Sequence, residues 1–205
     1  MLNATRRSLT DDQLDEAELV DRARRRETDA FREIMRRHNR RLYRVARAIL
    51  KDESEAEDVV QETYVRAFAA IDAFRGEASL ATWLTRIALN EAYGCLRRRR
   101  ASVNIEALDR EPHSAEIVMF RANGRNADPE KAAAQAQIRS LLESAIDTLP
   151  EHFRMVFVMR DVEEFGIEET ARLLELRPET VKTRLHRARL LMRKLLAPYF
   201  EERVA

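Results

Sequence analysis

Apolar side chains recur at three- and four-residue intervals along most of the chain, the spacing of one buried helix face. From Asp29 to Leu50 the apolar set is Phe31, Ile34, Met35, Leu42, Val45, Ala46 and Ile49, with arginines and His38 on the other side. "KDES" interrupts the pattern, and Ser54, with Glu57 three residues on, has the form of a capping box. A second helix is predicted over Glu55 to Ile71, on Ala56, Val59, Val60, Thr63, Tyr64, Ala67, Phe68 and Ile71. "FRGEAS" holds the first glycine and is expected to turn. Ser79 then caps a third long helix, Leu80 to about Arg100, and a shorter helix, about Asp15 to Arg26, precedes all three.

The periodicity fails over residues 101–128, "ASVNIEALDREPHSAEIVMFRANGRNAD". A structureless stretch of this length is unusual inside a compact domain, so the pattern predicts a flexible linker. Its "IVMF" run is too short to assign. "DPEKA" restarts helix, with Asp128 as N-cap and Pro129 at the first helical position. The apolar stripe of that helix is Ile138, Leu141, Leu142, Ala145, Ile146 and Leu149. Thr148-Leu-Pro-Glu151 reads as a second capping box, opening a helix to about Val162. Gly166 precedes "IEETARLLEL", and Arg177-Pro178 opens the last helix. The fold class expected is therefore all-α: a helical bundle over 15–100, a flexible linker over 101–128, and a four-helix domain over 129–197. In the last of these the final helix pair has helix-turn-helix spacing.

Composition agrees and narrows the class. Charged residues make up 36% of the chain, against only 4 glycines and 5 prolines, which favours helix throughout. No run of about 18 apolar residues offers a membrane span, and the N-terminus lacks the apolar segment of a signal peptide. Cys95 is the lone cysteine, which excludes a disulfide framework and a cysteine-based zinc site. A cytoplasmic protein without membrane insertion is expected. No cofactor, metal site or catalytic residue is expected either, because phosphate loops, metal-spaced clusters and nucleophile elbows are all missing.

The net charge of +1 conceals an uneven distribution. Lys182, Arg184, Arg187, Arg189, Arg193 and Lys194 follow Pro178 with a single acid, Glu179, among them. A basic run alone is often a solvated face. Here it lies on the second helix of a two-helix unit, whose core positions are Ile167, Ala171, Leu174, Leu176, Val181, Leu185 and Ala188. Lys182, Thr183, Arg184, His186 and Arg187 are left outward, where such a helix meets base edges in the major groove. The later cations Arg189, Arg193 and Lys194 suit phosphates. Arg177 stands at the N-cap, where Ser, Thr, Asp or Asn is worth about 1 kcal/mol more. An unfavourable local choice is expected at functional positions, and a phosphate would be held there by the arginine and the helix N-terminus together. Glu175 occupies the turn. If the turn needs a positive φ there, a non-glycine residue costs ~1 kcal/mol.

"DAFREIMRRHNRRLYRVARAIL" and "ESEAEDVVQETYVRAFAAIDAFRGEASLATWLTRIALNEAYGCLRRRR" resemble the promoter-melting domain of extracytoplasmic function (ECF) sigma factors, of the sigma-70 family. "LPEHFRMVFVMRDVEEFGIEETARLLELRPETVKTRLHRARLLMRKLL" is similar to the second domain of that family. The resemblance implies a transcription initiation factor that binds core RNA polymerase, through the clamp helices of the largest subunit and the flap, and directs it to promoter DNA. It implies that Asp58, Gln61 and Glu62 meet the clamp. It implies a −10 site made by the loop Phe74, Arg75, Gly76, Glu77, Ala78 and Ser79 together with Trp83, Asn90, Tyr93, Arg97 and Arg98. There an extruded base offsets an unstacking cost of a few kcal/mol. Trp83 suits DNA stacking and the core face equally. Arg177, Lys182, Thr183, Arg184, His186 and Arg187 would read the −35 element. The 28 residues of the linker reach at most ~95 Å extended and ~30 Å as a coil, enough for both domains to sit on one promoter. An anti-sigma factor is an implied partner. The acidic segment "TDDQLDEAEL" is left without a role. The rival reading is a dimeric helix-turn-helix transcriptional regulator, with a palindromic operator and no affinity for core polymerase.

Overall fold

The computed structural model describes residues 15–106 and 129–201, and among these every regular element is helical. The elements are α1 (Glu16–Arg24), α2 (Thr28–Leu50), α3 (Glu53–Ala69), a single 3-10 turn (Ile71–Ala73), α4 (Leu80–Glu106), α5 (Pro129–Thr148), α6 (Glu151–Phe157), a π-turn (Val158–Val162), α7 (Ile167–Leu173) and α8 (Pro178–Glu201).

α2, α3 and α4 pack against one another, with α1 laid across α2. Their main core joins Leu19, Val20 and Ala23 of α1 to Ile34, Leu42, Val60, Tyr64, Leu80 and Leu84. The three- and four-residue stripes of the sequence converge there, because only that face of each helix escapes water. Met35 is an exception and stays exposed.

Some local predictions change. Asp52, not Ser54, caps α3: its carboxylate accepts from the Glu55 N–H at 2.8 Å. The helix therefore begins two residues earlier than the capping-box pattern indicates. Thr148 ends α5 and does not cap α6, since its hydroxyl donates back to the Ser144 carbonyl at 2.9 Å. Pro150 takes the N-cap position of α6. α4 runs on to Glu106, so residues 101–106, expected in the linker, are helical. Ile138 and Leu142 are exposed, while Ala145 and Leu149 alone of that stripe are buried. Asp128, the "IVMF" run and most of the expected linker lie outside the described residues.

In the C-terminal half two small cores hold the helices together. One joins Ala145 and Leu149 to Ala188 and Met192. The other joins Val156 to Ala171, Val181 and Leu185, the interior of the helix-turn-helix. Glu175 in its turn has φ 53°, so the turn does take a positive φ there, on a non-glycine residue.

The two halves share a third core, which periodicity does not reveal. Val45, Ala46 and Ile49 of α2 and Leu89, Ala92 and Leu96 of α4 pack with Met155, Val158, Met159 and Phe165. Charges close its edges. Glu163, itself buried, takes Arg41 at 3.1 Å and Arg44 at 3.0 Å, and the Arg41 guanidinium lies 5.0 Å from the Phe165 ring centroid. Arg47 pairs with Asp147 at 2.7 Å. Arg154, 2% exposed, donates to the carbonyls of Ala48 at 2.6 Å and Leu149 at 2.9 Å. These acceptors lie at the ends of α2 and α5, where helices leave carbonyls unpaired and favour a cation.

Candidate nucleic-acid interface

The loop after the 3-10 turn carries the first cluster of predicted residues. Phe74 is buried and packs on Trp83 at 5.2 Å between ring centroids. Arg75, Gly76, Glu77, Ala78 and Ser79 are exposed. Gly76 has φ +73°, the left-handed region that L side chains resist, and open space surrounds the position of its absent side chain. The glycine therefore serves the backbone turn and relieves no clash. Loop and helix enclose a cavity of about 210 Å³, lined by Phe74, Gly76, Glu77, Thr82, Trp83 and Arg86 among others. Trp83 both packs against the core and lines the cavity.

Thr82 and Arg86 are lining residues that the motif reading missed. The signal was available: Thr82, Arg86 and Asn90 stand four apart, so they share one face of α4. Asn90 is exposed, one turn beyond the cavity and outside it. Arg97 and Arg98 are exposed further along. Tyr93 departs from this face. It is half-buried and lines a second cavity, about 330 Å³, together with Glu151, His152, Met155, Leu174, Leu176 and Arg184. Burial raises its phenol pKa.

α1 braces the loop from outside. The Arg24 guanidinium donates to the Phe74 carbonyl at 2.5 Å, and the Glu16 carboxylate accepts from the Leu80 N–H at 2.8 Å. Arg26 pairs with Asp72 at 3.0 Å. Ser79 Oγ accepts from the Thr82 N–H at 3.2 Å and so caps α4, as its place before the helix implied.

On α3, Asp58, Gln61 and Glu62 lie exposed along one side, beside exposed Val65. Glu62 accepts from Arg66 at 2.7 Å, and Arg66 also reaches Glu91 of α4 at 3.0 Å.

On α8, Lys182, Thr183, His186 and Arg187 are exposed, Arg184 is half-buried, and Arg177 is exposed at the N-cap. The Arg177 carbonyl accepts from the Val181 N–H at 3.1 Å. The Thr183 hydroxyl donates to the Glu179 carbonyl at 2.9 Å. Arg189 is not free for phosphate: its guanidinium forks onto Asp161 at 2.8 and 2.6 Å, a bidentate geometry that ties α8 to the π-turn.

Among the described residues every regular element is helical, with an exposed basic helix of a helix-turn-helix in one half and a loop-and-helix cavity in the other; this is the layout of a helix-turn-helix protein. Residues 34–102 match the family model for sigma-70 region 2, and residues 139–192 match that for sigma-70 region 4. The ECF RNA polymerase sigma factor SigW of Bacillus subtilis (strain 168) is 31% identical over 172 residues, 82% of this chain and 89% of that protein. The ECF RNA polymerase sigma-E factor of Escherichia coli (strain K12) is 29% identical over 181 residues, 87% of this chain and 92% of that protein. Among solved structures, the sigma factor RpoE in complex with the anti-sigma factor NepR from Bartonella quintana matches with a TM-score of 0.59 and 25% identity. It covers 76% of this chain and 89% of that one. CnrH in complex with the cytosolic domain of CnrY matches with a TM-score of 0.58 and 26% identity, over 89% and 97% of the two chains. The chain belongs to the ECF sigma factors of the sigma-70 family, and it is an RNA polymerase sigma factor. The dimeric-regulator reading is not favoured. Among the described residues, no helix is long and apolar enough to cross a membrane.

Proposed function

We propose that this sigma factor divides its work among three surfaces. The exposed side of α3, Asp58, Gln61 and Glu62, meets core polymerase. The loop from Phe74 to Ser79, with Trp83, Thr82, Arg86 and Asn90, receives the extruded −10 base and the strand beside it. Lys182, Thr183, His186 and Arg187, with Arg177 on phosphate, read the −35 element. The observation that carries this reading is the cavity under the Gly76 turn, which opens onto the polar ladder of α4. A cavity with an aromatic wall, beside cations and an amide, fits a stacked and hydrogen-bonded base.

Arg97 and Arg98 extend that track for the backbone. Tyr93 and Arg184 join their readers only when the cavity they share is opened, because DNA elements a helical turn or more apart lie ~34 Å or more from each other. The solved relative RpoE was captured with the anti-sigma factor NepR, which supports an anti-sigma factor for this chain too. The protein acts without catalysis of its own, on DNA in the cytoplasm.

Run-off transcription with bacterial core polymerase on pooled promoter fragments tests the division. The chain should create new start sites. Replacing Lys182 and Arg187 by alanine should weaken −35 duplex binding by about 1–3 kcal/mol per base contact and leave core binding intact. Equal affinity of that variant for the −35 duplex would overturn the assignment of α8.

A further inference from the structure

The acidic segment "TDDQLDEAEL" has no role in the surfaces above, yet its last part enters the fold, in α1, at a consequential place. Glu16 belongs to α1, and its carboxylate accepts from the backbone N–H of Leu80, the first residue of α4. Eight residues later on the same helix, Arg24 donates to the carbonyl of Phe74. Leu80 and Phe74 are the buried residues that bound the exposed loop 75–79. One helix therefore grips both ends of one loop, and each grip is on backbone.

The grip has a rigid base. Leu19, Val20 and Ala23 are 1%, 3% and 0% exposed and join the main core, so α1 is fixed by its apolar face independently of its two polar arms. Arg26 adds a third hold just upstream, on the Phe68 carbonyl and on Asp72. A loop has no ladder of its own to fix its shape, and glycine takes either sign of φ about equally, so the +73° turn at Gly76 is left for its surroundings to hold. A carboxylate on the first N–H of α4 also suits the positive end of that helix. Each contact is charge-assisted, the stronger kind of hydrogen bond.

We propose that Glu16 and Arg24 are positioning residues for −10 recognition: α1 sets the width and tilt of the loop that receives the base, without touching DNA. The proposal rests on the reading of residues 74–79 as the −10 reader. Their effect is carried by Leu80 N–H and Phe74 C=O, so the chemistry needed is an acceptor at residue 16 and a donor at residue 24. This gives a test that distinguishes positioning from general stability. Glu16→Gln keeps a carbonyl acceptor and Arg24→Lys keeps a donor, whereas Glu16→Ala and Arg24→Ala keep neither.

The full-length variants, with core polymerase, are assayed for permanganate reactivity of −10 thymines, for −35 duplex binding and for core affinity. The panel of promoters includes each single-base change in the −10 element. The double alanine variant should lose promoter melting by at least about 10-fold, since two charge-assisted hydrogen bonds are removed, and discriminate less among −10 bases. Core affinity and −35 binding should stay at the parent level, and the Gln and Lys variants should recover most of the melting. Unchanged melting and base preference in the double alanine variant would overturn the proposal. So would a parallel loss of all three activities, which would mark α1 as a fold element only. Arg75→Ala with Glu77→Ala, inside the loop, separates the two levels. If that pair also melts promoters normally with unaltered base preference, the loop reading fails and the bracing role falls with it. If it impairs melting while the α1 variants do not, the bracing role alone is lost.

Discussion

The N-terminal and C-terminal halves hold themselves together by different means. α1 to α4 enclose one large core, from Leu19 through Leu42 to Leu84, and their stripes face one another. α5 to α8 divide their apolar residues between two cores of four buried residues each and give the rest to a seam on α2 and α4. Where apolar area is short, polar groups complete the joint: Arg154 between two helix ends, Glu163 between two arginines, Arg47 on Asp147. The first half rests mainly on one apolar core, whereas the second is held to it through charges that find partners across the joint. Buried charge is weak evidence for stability but strongly penalises a lost partner.

The largest effect that would test this contrast lies in the N-terminal core. Leu84→Ala, at a residue 1% exposed, should cost about 2–5 kcal/mol and weaken hydrogen-exchange protection in both halves, because the seam rests on α2 and α4. Loss confined to the N-terminal half would mean the C-terminal half does not depend on it. Next comes Arg154→Met, which keeps the apolar stem and deletes the donor. The carbonyls of Ala48 and Leu149 lose their partner, at about 2–3 kcal/mol, and protection should fall in α5 and α6 while the main core keeps its own.

Acid should act on the first half through α2. Glu33 is buried, and Arg36, followed by Arg37, holds its carboxyl at about 2 against desolvation. Its folded pKa is depressed, so its contribution is complete above the ordinary 4.5 and disappears as pH falls through 2. His38 is held at about 4 instead of 6.5, first by burial and then by Arg41 and Arg37. The unfolded chain takes up this proton first, so stability declines as pH falls from 6.5 to 4 and is unaffected by this group above 6.5. Denaturant midpoints between pH 7 and 2 should show both windows, flattened respectively by Glu33→Gln and His38→Gln. The smallest effect is a gain. Glu175→Gly relieves a φ of 53° and should stabilise the helix-turn-helix by up to ~1 kcal/mol, read as a raised Tm with unchanged −35 binding.

Much of this architecture was legible from spacing alone. Runs such as Val59, Val60, Thr63, Tyr64 and Ala67 admit one helix face, and Arg177-Pro178 marks where α8 starts. Spacing put Glu175 in the two-helix turn but left the sign of its φ open, which only the fold settles at 53°. Caps were less legible, since Asp52 and Ser54 both carry an acceptor and the choice depends on a single N–H. The seam was not legible at all. Periodicity says that Val45 and Ile49 are covered, but not that Met155 and Met159 help to cover them. Glu163 finds Arg41 and Arg44 about 120 residues away, beyond any local pattern. The loop cavity was half legible: its glycine and aromatics stand in the motif, whereas Thr82 and Arg86 needed the helical ladder, and Glu16 and Arg24 needed the fold.

α4 runs unbroken for 27 residues, a rod of ~40 Å at 1.5 Å per residue. One end is clamped to the −10 loop by α1, so the other end is a fixed bearing as well as a fixed distance. Each residue inserted near Glu106 would turn the point of departure by ~100° while advancing it by only ~1.5 Å. The direction in which the chain leaves α4 is thus set by phase more than by length.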